Sequence, residues 1–350
     1  MDIFYILSLI LPILFLLFYF HYNSLLVDDE YICPTSNVTS IVYLLLFTLC
    51  MAFFGAVDGS DKLNYKLLFD NIDSIIQNDY KDVGWYMYVK SFHTLIDDSN
   101  IFFFVNALLY SGMYYYFGVK KYTNEYACYF LICATGMMGF FGYGTNTIRN
   151  GLALGVFIFA LSLEKYWKQA LLFIIAITLH KASILLVSAY LVANLYRKKE
   201  VYLLFWILCL VASASGFSLL NYTSFFEDDR IEKYSQILDS TYNTGFRIDF
   251  IIYSVIPIII VYYWIKKYYI EDRFYNMIFN MYLILNSFWL LIIRIIFTNR
   301  WAYFSWFMIP ILIAYPFLSS NIYFPVRKKY FFLISLVFFC VYLALEIRDM

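Results

Sequence analysis

The chain has 350 residues, of which 63% are hydrophobic, 23% are aromatic and only 14% are charged, and its formal net charge is zero. Soluble domains carry about 25% charged residues, so this composition excludes a soluble globular fold. Without a net positive charge there is no basic surface for nucleic acid, and we expect no nucleic-acid partner.

In chain order, long apolar segments predict an all-α polytopic integral membrane protein with about 11–12 transmembrane segments. The first segment lacks a basic leader and a small-residue cleavage site, so we expect a retained first span and not a signal peptide. The candidate spans are 3–20, 39–57, 101–118, 126–143, 148–163, a split stretch 169–196, 201–219, 250–265, 274–293, 301–318 and 330–346.

Short connections with clustered Lys and Arg should face the cytoplasm. Such clusters flank both ends of the stretch 169–196, so both ends should face the cytoplasm. A single straight helix through this stretch would be about 42 Å long and would end on the opposite side of the membrane. We therefore expect a short hairpin whose tip is Leu179-His180-Lys181. The alternative is one long tilted helix with an orientation error elsewhere in the chain.

The same orientation predicts a single polytopic membrane domain, 1–350, with both termini outside and two larger extracytoplasmic loops, 58–100 and 220–249. Apolar residues at helical spacing in the first loop predict two amphipathic helices on the membrane surface. The apolar residues of the first helix are Leu68, Ile72, Ile75 and Ile76, and those of the second are Trp85, Tyr88, Val89, Phe92, Leu95 and Ile96. The second loop is rich in Tyr, Asp and Arg.

Arginines at the outer ends of spans are the first candidate site residues. Arg149, Arg247 and Arg300 lie there, and Arg294 lies deeper in its span. A single arginine at a helix end commonly extends to the lipid headgroups. Three on one side, beside Asn, Asp and Tyr, favour an anionic ligand, because a guanidinium suits phosphate oxygens.

Two asparagines flank the first of these arginines, in Thr145-Asn146-Thr147-Ile148-Arg149-Asn150. If this turn opens a helix, Asn146, Arg149 and Asn150 share one face. We therefore include both amides among the candidate substrate-binding residues.

The candidate general base is His180, because imidazole exchanges a proton near neutral pH. The alternative for His180 is a helix-end histidine bonded to a backbone carbonyl. Asp249 is a second candidate base, or a partner that orients Arg247. His93 lies among interfacial aromatic residues, which favours a structural role.

A candidate sugar-binding surface precedes the second amphipathic helix. Carboxylates bond sugar hydroxyls and aromatic faces stack on sugar rings, and this segment combines both. It contains Asp79, Tyr80, Asp82, Trp85 and Tyr86. Interfacial Trp and Tyr also occur in membrane proteins generally, so this signal is weak on its own.

Several motifs are missing from the sequence. It has no GxxxxGK[ST] phosphate loop, no Rossmann glycine fingerprint, no HExxH or Cys/His zinc cluster and no GxSxG elbow. The six cysteines form no CxxC pair and mostly lie in apolar runs, which is typical of buried small hydrophobic residues. We therefore expect no metal and no cofactor.

Several short motifs, in order along most of the chain, resemble the EpsG-type branch of the Wzy polysaccharide polymerases. Asn150 is a departure, because the family usually has Gln at that position. The motifs are Asn78-Asp79-Tyr80 with Asp82-x-Gly84-Trp85-Tyr86, Thr147-Ile148-Arg149-Asn150-Gly151, Ala176 to Ser183 around His180, Gly245-Phe246-Arg247-x-Asp249-Phe250, and Asn299-Arg300-Trp301-Ala302-Tyr303.

This resemblance implies a metal-independent glycosyltransferase with a GT-C-like, all-helical fold in the bacterial cytoplasmic membrane. Such enzymes join oligosaccharide repeat units carried on undecaprenyl diphosphate at the outer face, forming O-antigen, capsule or exopolysaccharide. The implied partners are these lipid-linked substrates and the bilayer, with a chain-length regulator and a flippase as further candidates.

The resemblance also implies roles for the candidate residues. His180, or alternatively Asp249, takes the acceptor proton, and Arg149, Arg247 and Arg300 bind the departing diphosphate. Tyr303 binds a phosphate oxygen or a sugar hydroxyl.

Other functions remain open at this point. A lipid-linked oligosaccharide flippase would favour two related halves, which the sequence does not show. An O-antigen ligase would share the same chemistry, and a glycan O-acyltransferase would alter acetylation but not chain length. A non-catalytic scaffold would leave the outward arginines unexplained.

Overall fold

The computed structural model describes residues 3–24, 32–54, 61–74, 82–219, 245–295, 298–326 and 328–349. Every regular element among these residues is a helix, which confirms the predicted all-α class. Four helices are long and apolar enough to cross a membrane: Ile3–Asn23, Ile248–Lys267, Arg273–Leu291 and Thr298–Leu318. Shorter apolar helices accompany them, so the chain is a polytopic membrane protein. The span count of 11–12 and the GT-C-like fold stay predictions.

The chain divides into two compact units, a first unit of residues 1–187 with 313–350 and a second unit of residues 188–312. The helices up to residue 187 are α1 (Ile3–Ser24), α2 (Asn37–Phe53), α3 (Asp61–Asp70), α4 (Val83–Leu95), α5 (Ser99–Tyr122), α6 (Ala127–Thr135), α7 (Phe140–Thr145), α8 (Ile148–Leu161) and α9 (Tyr166–Leu179). The later helices are α10 (Ile184–Leu195), α11 (Lys199–Ala214), α12 (Ile248–Lys267), α13 (Arg273–Leu291), α14 (Thr298–Trp306), α15 (Ile309–Leu318) and α16 (Lys329–Asp349).

Carboxylates cap two of the longer helices. The Asp98 side chain accepts hydrogen bonds from the backbone N–H groups of Asn100 and Ile101 and so starts α5. Asp272 does the same for α13 through the N–H of Tyr275. These N–H groups have no partner inside their own helix, and a carboxylate at the positive end of the helix dipole stabilises them.

Helices α3 and α4 lie in the described part of the predicted extracytoplasmic segment 58–100. Helix α4 is amphipathic, because Trp85 and Val89 are buried while Lys90, Ser91 and Thr94 are exposed. Its buried face packs in one core cluster with residues of α3, α5, α8 and α9. The position of α3 and α4 on the membrane surface stays a prediction. Ile75 and Ile76, and residues 220–244 of the second loop, lie outside the described residues.

The stretch 169–196 is interrupted at the predicted tip. Helix α9 ends at Leu179, His180 is extended (φ −151°, ψ 113°), Lys181–Ser183 forms one 3₁₀ turn, and α10 follows. The break in the helical backbone places the His180 side chain beyond the end of α9.

A buried polar network holds the second unit together. The Asn286 amide nitrogen donates to the hydroxyls of Ser254 (3.1 Å) and Ser305 (2.9 Å), and its oxygen accepts from the Trp206 indole (2.8 Å). The Trp306 indole donates to Ser254 at 2.8 Å. The network joins α11, α12, α13 and α14. Because unpaired polar groups are costly inside a membrane protein, it fixes α14, which carries Arg300 and Tyr303.

Candidate functional site

A buried carboxylate brings together an arginine and a histidine in the first unit. Asp82 Oδ2 forms an ion pair with Arg149 Nη1 at 2.7 Å, and Oδ1 accepts a hydrogen bond from the backbone N–H of Lys181 at 2.9 Å. His180 Nδ1 lies 3.4 Å from Oδ2. Asp82 is only 5% exposed. We call Asp82, Arg149 and His180 the Asp82 centre.

Three helix ends form the Asp82 centre. Asp82 directly precedes α4, Arg149 lies in the first turn of α8, and His180 follows α9. An arginine in the first turn of a helix is opposed by the positive end of the helix dipole. The Asp82 carboxylate compensates this charge, so Arg149 and Asp82 stabilise one another.

The charge state of Asp82 follows from its surroundings. Burial raises the pKa of the carboxyl, but the His180 hydrogen bond, the Arg149 charge and the Lys181 N–H together outweigh burial and leave the pKa below its ordinary value. Asp82 is therefore ionised at neutral pH. An ionised acceptor beside Nδ1 favours the tautomer with the proton on Nδ1 and the lone pair on Nε2. This tautomer can take a proton through Nε2.

The lowered pKa predicts a pH dependence of stability. A carboxyl with a pKa below its ordinary 3.8 stabilises the folded state above that value. This contribution is lost as the pH falls through the folded-state pKa, hence below about pH 4. In detergent, we expect the wild type to melt at a higher temperature than Asp82→Asn, with the largest difference near pH 7. The two melting temperatures should approach one another below about pH 4. A difference that stays constant through acid pH would contradict this explanation.

A glycine contact sets the position of Asp82 relative to His180. A Cβ atom on Gly84 would lie 2.8 Å from the carbonyl carbon of Thr178 and 2.7 Å from its Oγ1. Gly84 is two residues after Asp82 and Thr178 is two residues before His180. The absence of a side chain therefore lets α4 approach the end of α9 closely enough for the carboxylate to reach the imidazole.

Replacing Gly84 with alanine should separate these helices. Because one obstructing atom is backbone, the clash cannot be relieved by a rotamer change, and we expect a loss of about 1–3 kcal/mol in stability. The matched control is Gly112→Ala in α5, where a Cβ meets nothing within 4 Å. This control should be neutral or stabilising by up to about 1 kcal/mol. Equal melting temperatures for the two variants would contradict the proposed contact.

One of the two candidate asparagines lies outside the helix that was predicted to hold both. Helix α8 begins at Ile148, so Asn146 lies outside it at the end of α7, and the prediction that Asn146 shares a face with Arg149 and Asn150 is wrong. Asn146 Oδ1 accepts from the backbone N–H of Lys62 at 3.3 Å. Asn150 is 9% exposed and its amide nitrogen lies 3.4 Å from the Tyr143 hydroxyl.

The predicted sugar-binding surface is only partly described. Asp79 and Tyr80 lie outside the described residues. Trp85 is fully buried beside the rings of Tyr65 (5.5 Å) and Phe102 (6.0 Å), and Tyr86 is 3% exposed. Both side chains pack in the core, and their contact with sugar stays a prediction.

A second arginine–carboxylate pair lies in the second unit. Arg247 Nε donates to Asp249 Oδ1 at 3.0 Å and Nη2 donates to Oδ2 at 2.7 Å, while the guanidinium carbon lies 3.8 Å from the centre of the Phe250 ring. Because both carboxylate oxygens are bound to a permanent cation, Asp249 is a poor base. Of its two predicted roles, this geometry favours orienting Arg247.

Arg300 and Tyr303 lie on α14 in the second unit. The backbone N–H of Arg300 donates to Asn299 Oδ1 at 3.0 Å, and the Asn299 amide lies 3.4 Å from the Tyr303 hydroxyl. The indole of Trp289, near the end of α13, donates to Thr298 Oγ1 at 2.9 Å. The start of α14 is therefore fixed beside the end of α13.

Three arginines of the second unit lie at one end of that unit. The guanidinium carbon of Arg294, just after α13, lies 5.6 Å from the Phe246 ring, and Phe246 precedes Arg247 at the start of α12. Thus α13 ends where α12 and α14 begin, and Arg247, Arg294 and Arg300 lie at this end. Arg149 and His180 belong to the first unit.

Asp82 is the residue that sequence reasoning assigned incompletely. The sequence placed it with Asp79 and Tyr80 as a possible sugar contact, whereas the structure gives it the central position between Arg149 and His180. The sequence feature that could have identified Asp82 as a site residue is its position in Asp82-x-Gly84-Trp85, just before a predicted helix. Within the described parts of the chain, no group of three or more His, Cys, Asp or Glu residues is arranged to hold a metal ion.

Comparison with known proteins gives one family match. A sequence model of the EpsG family matches residues 36–350. No curated protein and no solved structure matches the chain.

Proposed function

This chain belongs to the EpsG family, which is implicated in exopolysaccharide biosynthesis, and from this we propose that it is a glycosyltransferase that polymerises lipid-linked repeat units. The substrates are oligosaccharides carried on undecaprenyl diphosphate, at the outer face of the cytoplasmic membrane. The observation that supports the proposal most is the Asp82 centre, because it combines a histidine oriented as a base with a permanent cation.

In the proposed reaction, a hydroxyl oxygen of the acceptor unit attacks the anomeric carbon of the donor chain. The bond between that carbon and the diphosphate oxygen breaks, and the lipid diphosphate leaves with the electron pair. The acceptor proton passes to His180 Nε2. One glycosidic bond forms and one sugar–phosphate bond breaks, so the chain grows by one repeat unit in each cycle.

Asp82 acts through His180 in this proposal. Its carboxylate fixes the imidazole orientation and stabilises the imidazolium that forms when the proton is transferred. The 3.4 Å separation is long for a hydrogen bond, and such contacts commonly shorten when substrate binds. Asp249 is the less favoured base, because Arg247 engages both of its oxygens.

The arginines supply the cations that the leaving diphosphate requires. Arg149 uses one nitrogen on Asp82, and its Nε is buried with no hydrogen-bond partner in the described residues. Arg247 and Arg300 are proposed to bind phosphate oxygens, with Tyr303 as a further donor to phosphate or sugar. Removing one donor to a developing negative charge typically lowers the rate about 10²–10³-fold.

A genetic complementation experiment tests this function against a flippase. Cells that lack this chain and receive the wild type should make long polymer. Cells that receive Arg149→Ala, Arg300→Ala or His180→Ala should keep the protein in the membrane and deliver single repeat units to the outer face. Long polymer from all three variants would reject the proposal, and repeat units trapped inside would identify a flippase.

A further inference from the structure

Arg294 differs from the other outward arginines in how its charge is balanced. Arg149 and Arg247 each bind a carboxylate oxygen at 2.7 Å. Among the described residues no carboxylate forms an ion pair with Arg294, which is half-buried. Its Nε is buried with no hydrogen-bond partner in that part of the chain. A partly desolvated cation with no carboxylate partner in the described part of the chain is costly in a membrane protein, so this position favours an anionic ligand.

The contacts that Arg294 does make use little of its capacity. Nη2 donates to the backbone carbonyl of Ser213 at 3.2 Å, near the end of α11, and the Phe246 ring lies beside the guanidinium. The Ser213 carbonyl also accepts from the backbone N–H of Gly216 at 3.1 Å, so it does not need the arginine. A guanidinium has five N–H donors. By capping α11, Arg294 therefore uses one of its five donors, and the neutral carbonyl does not balance the charge of the guanidinium.

The neighbourhood contains a second unpaired donor. Ser213 is fully buried, and its hydroxyl has no hydrogen-bond partner among the described residues. Ser213 is also the residue whose backbone carbonyl accepts from Arg294 Nη2. The half-buried guanidinium and this buried hydroxyl are both donors of the kind that phosphate oxygens accept.

We propose that Arg294 is a phosphate-binding residue for a lipid-linked diphosphate. This inference rests on the proposed function for the identity of the ligand. The same chemistry would also suit the phosphate of a bilayer headgroup, since both ligands are phosphates attached to lipid. The experiment must therefore compare these two sources.

Binding to purified protein in nanodiscs tests the proposal. The probe is undecaprenyl diphosphate in phosphatidylcholine nanodiscs, with phosphatidylglycerol as the headgroup probe. Arg294→Gln keeps a donor for the Ser213 carbonyl but removes the charge, whereas Arg294→Lys keeps the charge. The control is Arg273→Met, which removes an exposed arginine at the other end of α13, about 28 Å away along the helix.

We expect Arg294→Gln to weaken undecaprenyl diphosphate binding about 10- to 100-fold, as for a lost charge-assisted hydrogen bond. Arg294→Lys should keep most of the affinity, and Arg273→Met should match the wild type. Phosphatidylglycerol binding should be the same in all four proteins. If Arg294→Gln is not recovered folded, Arg294→Met provides a second neutral variant.

Two results would overturn the inference. Unchanged undecaprenyl diphosphate affinity in the neutral variant, with or without a lower melting temperature, would identify a structural cap. An equal loss of phosphatidylglycerol binding would identify a headgroup contact. Because binding is measured without turnover, a wild type that binds the diphosphate but makes no polymer would refute the proposed function and leave this inference intact.

Discussion

Replacing Asp82 with alanine is expected to abolish polymer formation and to destabilise the protein. The substitution leaves the Arg149 guanidinium, 12% exposed, without the carboxylate that balances it, and it leaves His180 without its orienting acceptor. Leaving one buried member of an ion pair uncompensated typically costs about 3–5 kcal/mol. The measurements are the melting temperature in detergent and the rate of chain extension by the purified variant.

A double variant separates stability from catalysis at this position. Asp82→Leu with Arg149→Met replaces the pair by apolar side chains of similar size, which is often neutral or stabilising. We expect it to recover the melting temperature and to stay inactive, because the base has no orienting group. A single Asp82→Ala variant with normal stability and normal polymer would show that the centre has no functional role.

Replacing His180 with alanine is expected to lower the rate of chain extension about 10²–10⁴-fold, the usual contribution of a positioned general base. Stability should change little, because the side chain is 19% exposed and Asp82 keeps its bonds to Arg149 and the Lys181 N–H. The acid limb of the pH–rate profile should disappear in the variant, since a base must lose its proton before it can act.

His93 offers a matched control for His180. It lies in the last turn of α4, 3.0 Å from Asp97 and 3.8 Å from Asp73, and both carboxylates are exposed. His93→Ala removes an imidazole from the same unit without altering the Asp82 centre, and its rate should match the wild type. If His180→Ala retained a rate similar to that of His93→Ala, His180 would not be the base.

The sequence predicted the features of this protein that depend on local patterns. The helical class follows from long apolar runs, and the break at His180 follows from basic residues on both sides of a stretch too short for two full spans. Arg149 and His180 were recognised as candidates because each is an ionisable group near the end of an apolar run. These inferences need only neighbouring residues.

Contacts between distant residues were not predictable in the same way. Asp82 and His180 are 98 residues apart, and no local pattern indicates that they meet. The role of Gly84 depends on its distance from Thr178 on another helix. The sequence offered two predictions for Trp85, the apolar face of an amphipathic helix and a sugar-binding surface, and local pattern did not decide between them. The structure buries Trp85 completely.

The charge balance of the arginines also depended on the structure. The sequence presented all four candidate arginines as permanent cations near the ends of predicted spans, with Arg294 deeper than the others. The structure gives Arg149 and Arg247 carboxylate partners, while Arg294 has none among the described residues. Arg149 therefore belongs to a centre with Asp82 and His180, and Arg294 becomes a candidate for phosphate binding.

Incubating the purified wild-type protein with one defined undecaprenyl diphosphate-linked repeat unit tests the central claim most directly. If this chain joins repeat units with its own residues, gel analysis should show a ladder of products that differ by one unit, both with and without EDTA. Folded protein that binds the substrate yet returns only the single repeat unit would contradict the claim.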